Sequence, residues 1–142
     1  MIQVSADLNP ILRRLTKLGG QLSNPADFLQ DVGAYFEKRI DEGFRQEKDP
    51  YGKKWKPLSP ATISEKERLG FPLKILTRRG KMRSEVKTSV SGKTVRITVP
   101  FPAQFHQIGT KRMPQRQILP DGRLSKTDER NIVDLAIEFL DI

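Results

Sequence analysis

The chain has 142 residues, with 26 Lys and Arg against 17 Asp and Glu, one His, no Cys and a net charge of +9. That length suits one domain with its own core. The absence of Cys excludes a disulfide framework, a thiolate zinc site and a cysteine nucleophile, and the lone His excludes a metal site built from histidines. No run approaches the roughly 18 apolar residues of a membrane span. The first residues lack the basic stretch and apolar core of a secretory signal, so synthesis in the cytoplasm is expected. Residues 45–120 hold 18 Lys and Arg against 5 Asp and Glu, while both flanks are slightly acidic. Charge alone allows a nucleic acid, an acidic protein surface or an anionic membrane as partner.

In chain order, Leu8, Ile11, Leu12, Leu15 and Leu18 recur at helical spacing, and Gly19 and Gly20 end that helix. Asn24 and Pro25 open a second helix as cap and first helical residue. Its inner face carries Phe28, Val32, Tyr35, Phe36 and Ile40 and extends to Phe44. Asp27, Asp31, Lys38, Arg39, Asp41 and Glu42 form its outer face. A basic loop region then covers about residues 45–84. Asp49-Pro50 and Tyr51-Gly52 are turn chemistry, and Pro57 excludes a continuing helix. Ser59-Pro60 opens a short helix to about Leu69, stopped by Gly70, and residues 76–84 read as a short helical turn.

Val86, Thr88 and Val90 alternate with polar residues, as do Val95, Ile97 and Val99 after Ser91-Gly92, which predicts a β-hairpin over about 85–99. Pro100 and Pro102 interrupt the chain, and Ala103–Ile108 is open to a third strand. Residues 109–122 show no period and read as a loop, extending to about 124. Ser125 or Thr127 caps a last helix over about 126–141, with Ile132, Val133, Ala136, Ile137 and Leu140 inward. The order predicts an α+β fold in one domain over 1–142: N-terminal helices and a C-terminal helix packed on a small antiparallel sheet, with long basic loops.

No enzyme constellation is visible, and no catalytic, cofactor or metal residue is assigned. His106 stands between Phe105 and Gln107, where a structural histidine is the simpler reading. Asp27 and Asp31 are one turn apart on a solvated helix face. There is no Walker loop, and the glycines are scattered. Lys53, Lys54, Trp55 and Lys56 combine cations with an aromatic, as a single-strand binder does; the simpler reading has Trp55 in the core and the lysines in water. Arg78, Arg79, Lys81 and Arg83 could grip phosphates, but on one helical turn they point in several directions. No sequence-reading module is present, which argues against specific DNA recognition and leaves non-specific contact open.

Four segments carry a resemblance. Gly-Lys-Lys-Trp-Lys-Pro-Leu-Ser-Pro-Ala-Thr over 52–62 follows an aromatic helix end, and Lys-Ile-Leu-Thr-Arg-Arg-Gly-Lys-Met-Arg-Ser covers 74–84. Ala-Gln-Phe-His-Gln-Ile-Gly covers 103–109, and Met-Pro-Gln-Arg-Gln-Ile-Leu covers 113–119. In order and spacing they resemble the phage virion morphogenesis family, the tail completion proteins of Mu-like and P2-like contractile-tailed phages, over roughly residues 28–140. Arg79 departs from the family's Thr, and Gln117-Ile118-Leu119 from its Pro-Phe-Leu. The resemblance implies a non-enzymatic part in tail completion or head–tail joining, with tail or connector proteins as partners and a homo-oligomeric ring by analogy. It implies the host cytoplasm during assembly, then the virion. The interface or motif residues it singles out are Lys53, Lys54, Trp55, Lys56, Pro57, Leu58, Arg78, Arg79, His106, Gln107, Gly109 and Arg116. No cofactor is implied. The rival readings are a non-specific nucleic-acid binder using the central basic region, and an enzyme such as a nuclease or lytic factor, which requires a convergent carboxylate or carboxylate–histidine pocket.

Overall fold

The computed structural model describes residues 2–6, 25–78, 80–92, 94–100, 103–121 and 123–140. The helix expected over residues 8–18 and the position of Arg79 lie outside the described residues. The elements, in order, are β1 (Ile2–Ala6), α1 (Pro25–Gln46), α2 (Pro60–Leu69), α3 (Lys81–Ser84), β2 (Lys87–Ser91), β3 (Thr94–Val99), α4 (Ala103–Ile108) and α5 (Lys126–Leu140). This is an α+β fold, with α1 packed on an antiparallel sheet and α5 packed against α1.

α1 is the spine. Phe28, Leu29, Val32, Phe36, Ile40 and Phe44 recur every one to four residues along one stripe, and all are buried. The helix closes with a Schellman-type cap: Glu47 turns to φ +58, and the Lys48 N–H donates to the Gly43 carbonyl at 3.0 Å. The left-handed turn of a non-glycine residue here redirects the chain into the basic loop.

The sheet has the order β1-β3-β2, with Ile2 opposite Val99 and Val90 opposite Val95. Along β3, Val95, Ile97 and Val99 are buried while Arg96 between them is exposed, the period-two signature of a strand with one covered face. α1 approaches that face at Gly33, where a Cβ would lie 3.0 Å from Thr88 Oγ1. One turn on, Glu37 Oε1 accepts hydrogen bonds from the Thr88 N–H at 3.0 Å and hydroxyl at 2.8 Å. The edge strand β2 is thereby tied to α1.

α5 begins with Ser125, whose hydroxyl accepts from the Asp128 N–H at 3.0 Å. The Asp128 carboxylate turns inward, 1 % exposed, and accepts from the Tyr35 hydroxyl at 2.6 Å and Arg39 Nε at 2.9 Å. Ile132 and Ala136 continue the buried stripe. α3 is held to α1 by the two-pronged Arg83–Asp41 ion pair.

One expectation needs correction. The segment Ala103–Ile108 is a helix, not a third strand; the third strand is β1. The Ala103 N–H donates to the Pro100 carbonyl at 3.0 Å, which starts a turn, and Ala103 is buried while Phe105 is exposed, against a strand's alternation. Gly109 then stops the helix at φ +77, its N–H donating to Phe105 at 2.8 Å. The stretch read as an aperiodic loop also enters the core: Ile118 and Leu119 are buried.

Candidate functional site

Three loops converge beyond the C-terminal end of α1. The first is the basic loop, residues 47–58. Asp49 Oδ1 accepts from the N–H groups of Tyr51 and Lys53, both at 2.8 Å, closing a tight turn that Gly52 completes at φ +93. The turn leaves Lys53, Lys54 and Lys56 exposed and drives Trp55 inward, to 6 % exposure. Trp55 stacks edge-on against Phe44 with ring centroids 5.4 Å apart, and its Nε1 donates to the Gln117 carbonyl at 2.8 Å. The indole is core, so it offers no free platform for a base. Pro57 is exposed and Leu58 half-buried.

The second loop, residues 74–78, is organised by a buried lysine. Lys66 of α2, 5 % exposed, donates from Nζ to the carbonyls of Lys74 at 2.6 Å and Thr77 at 2.7 Å. Burial lowers its pKa below the ordinary lysine value, helped by the nearby Arg78 and Arg116 charges. Glu47 accepts from the Ile75 N–H at 3.2 Å and so ties this loop to the first. Leu76 is held at φ +56, a left-handed conformation that a leucine adopts only when its surroundings impose it. Arg78 pairs with Glu65 at 3.1 Å and lies over the Phe71 ring, 5.0 Å from its centroid.

The third loop follows α4. Gln107 acts as a three-point clamp: its Oε1 accepts from the N–H groups of Ile118 and Leu119 at 2.8 and 2.9 Å, and its Nε2 donates to the Leu119 carbonyl at 2.7 Å. Gly109 is required by its positive φ and by space, since a Cβ would lie 3.0 Å from the Gln115 backbone nitrogen. Arg116, 9 % exposed, donates from Nε to the Lys56 carbonyl at 2.9 Å and from Nη2 to the Pro57 carbonyl at 3.0 Å. Its own N–H donates to the His106 carbonyl at 2.7 Å.

Between the three loops lies an open groove of about 490 Å³ that brings together Pro57, Leu58, Arg78, His106 and Arg116. It continues into a second hollow of about 760 Å³, the two sharing Leu76, Arg78, Met82 and His106. His106 Nδ1 is buried with no hydrogen-bond partner among the described residues. Burial, and then the Arg116 cation, holds the imidazole below the usual histidine pKa, so it is neutral at pH 7. Lys53, Lys54 and Lys56 stand outside the groove, on the outer surface of the first loop. Lys66, Leu76, Met82, Arg112 and Met113 are groove residues that sequence reasoning did not single out. Nothing in the local pattern marks Lys66, one charged residue among several in a polar helix. Among the described residues no group of three or more His, Asp and Glu is placed to hold a metal ion, and no helix is long and apolar enough to cross a membrane.

The fold and groove thus define a basic α+β protein whose loops are stitched into a fixed surface. The family model for the phage virion morphogenesis family matches residues 6–141, and the chain belongs to that family. No curated protein and no solved structure matches it.

Proposed function

We propose that the protein is a non-enzymatic assembly part that completes the phage tail or joins it to the DNA-filled head, meeting tail or connector proteins and further copies of itself. Family membership supports a part in virion morphogenesis. The observation that carries the finer reading is the use made of the motif residues. Trp55, Gln107 and Arg116 each commit their side-chain polar atoms to the backbone of another loop, 11 to 62 residues away in sequence. Such bonds fix the shape of a loop surface before any partner arrives, which lowers the ordering cost of docking. The motif's chemistry is thereby the chemistry of a preset contact surface.

The test is electron microscopy of lysates from a phage lacking this gene, with and without complementation. Unjoined heads and tails, or tails of aberrant length, restored by complementation support the role; normal infectious particles remove it.

Non-specific contact with DNA is a second reading, favoured by Lys53, Lys54 and Lys56, exposed on one loop. It requires an affinity that falls steeply with salt. Charge reversal at those three positions should then abolish binding while leaving the fold intact, because none of the three side chains is buried.

A further inference from the structure

The free carboxylates and the groove lie at opposite ends of α1. α5 runs antiparallel to α1, since Asp128 at its start meets Tyr35 and Arg39, while Phe139 at its end meets Phe28 with ring centroids 6.0 Å apart. That last contact sets the first turns of α1, which carry Asp27 and Asp31, beside the last turns of α5, which carry Asp134 and Glu138. All four are exposed, and none has a hydrogen bond or ion pair among the described residues. The groove adjoins the other end of α1, about 33 Å away along a helix of 22 residues.

The two ends are complementary. The last turn of α5 carries no basic residue, so Glu138, with Asp134 one turn back, adds negative charge to the negative end of the helix dipole. In an isolated chain that placement is unfavourable, and a cation from another molecule relieves it. Phe139 adds an aromatic ring that is 39 % exposed. The groove's lining contains four cations and no carboxylate; Arg112 is exposed, Arg78 is exposed and already paired with Glu65 outside that lining, and Leu58, Leu76 and Met113 give it apolar walls. A nucleic-acid backbone fits less well: Lys66 and Arg116 direct their donors at backbone carbonyls, and apolar walls offer phosphates nothing.

We infer that the C-terminal end of α5 in one copy, with Phe139 as its apolar anchor, docks in the groove of the next copy. The contact is heterologous, joining two different faces, so it generates a closed ring or an open filament. It rests on the assembly reading above and names the surfaces by which copies meet.

The test is sedimentation velocity of the full chain over a range of concentration and salt. Reversible association that weakens as salt rises is expected. The variant R78E/R112E and the variant D134K/E138K should each associate at least about tenfold more weakly than the wild type. An equimolar mixture of the two should recover association, because each variant's altered end then meets an opposite charge. Asp134 and Glu138 are exposed and have no partner among the described residues, so their replacement leaves the core alone. A wild-type chain that stays monomeric throughout, variants that associate like wild type, a mixture that fails to recover, or association only on adding DNA each overturns the contact. Variants that still complement a deletion phage remove the contact and leave the assembly role. A deletion that yields normal particles removes the role, whatever the purified protein does.

Discussion

Arg116 reaches back 60 residues to donate to the carbonyl of Lys56 at 2.9 Å, with the Pro57 carbonyl taken by the same guanidinium at 3.0 Å. A buried cation whose partners are carbonyls rather than a carboxylate positions backbone, and here it fixes the exit of the basic loop against the groove. Arg116→Met should lower stability by about 2 kcal/mol, the range for hydrogen bonds to a charged group. Arg116→Lys should recover only part of that, since an ammonium lacks the planar fork that reaches both oxygens. Urea denaturation followed by the fluorescence of Trp55, the chain's one tryptophan, reads both. Equal stability of Arg116→Met and wild type would show that water satisfies the two carbonyls as well.

Gln107 and Gly109 make a sharper pair of tests because each forbids a specific replacement. Gln107→Glu keeps an acceptor for the N–H groups of Ile118 and Leu119 but turns a carboxylate oxygen toward the Leu119 carbonyl. Gln117 Nε2 also donates to that carbonyl at 2.9 Å, so the repulsion, rather than a lost donor, is what Glu introduces. Gln107→Ala leaves both N–H groups unpaired and should cost about 2–3 kcal/mol. Gly109→Ala should cost about 1–3 kcal/mol through its left-handed φ and the 3.0 Å approach to Gln115. Thermal unfolding that leaves Gly109→Ala level with wild type would mean that the loop after α4 relaxes freely.

The parts of the fold legible in the sequence were those with a strict period and a matching stop. The stripe from Phe28 to Phe44 and the alternation of Val95, Ile97 and Val99 state their own burial. α4 escaped because six residues are too few to separate a helix from a strand by period, and the proline-rich entry suits either. β1 escaped because Ile2–Ala6 takes its partner from β3, 89 to 97 residues away in sequence, and nothing local announces that pairing. In the groove, Pro57, Leu58, Arg78, His106 and Arg116 could be named from motif spacing, but Lys66 and Arg112 could not. The turn at Asp49 closes within its own loop and is readable from Asp49-Pro50 and Tyr51-Gly52, whereas the loop around Leu76 is set by contacts from Lys66 and Glu47 that no local pattern announces.

Asp128 joins the two long helices, and the pH response of that junction has a definite sign. Burial, reinforced by the hydrogen bond to Asp128, raises the Tyr35 pKa to about 12. A group whose pKa is raised on folding contributes stability that is complete below its unfolded value and is lost as pH climbs through the folded one. Stability should therefore fall between about pH 10 and pH 12, and Tyr35→Phe should flatten that fall. Tyr51 shifts the same way, through burial and its bond to Asp121, so some slope remains in the variant. Asp128→Ala strands the Tyr35 hydroxyl and the Arg39 guanidinium together and should cost about 3 kcal/mol, at the low end for breaking a buried pair because Arg39 is partly solvated. Alkaline unfolding curves that coincide for wild type and Tyr35→Phe would detach the phenol from the transition.

His106 gives the opposite sign at the acid end. Its pKa is lowered on folding, first by burial and then by the Arg116 charge, so the unfolded chain binds a proton that the folded chain refuses. Its contribution is complete above the unfolded value of roughly 6.5 and disappears as pH falls through the folded value. Acidification from pH 7 toward pH 5 should therefore destabilise the protein, and the groove wall should loosen first, where the charged imidazole meets Arg116. His106→Gln carries no titrating group and should unfold with a shallower acid slope. Since the chain has one histidine, the difference between the two curves reports this side chain directly. Parallel acid curves would show that His106 is protonated at little cost in the folded protein, with Nδ1 finding a partner once charged.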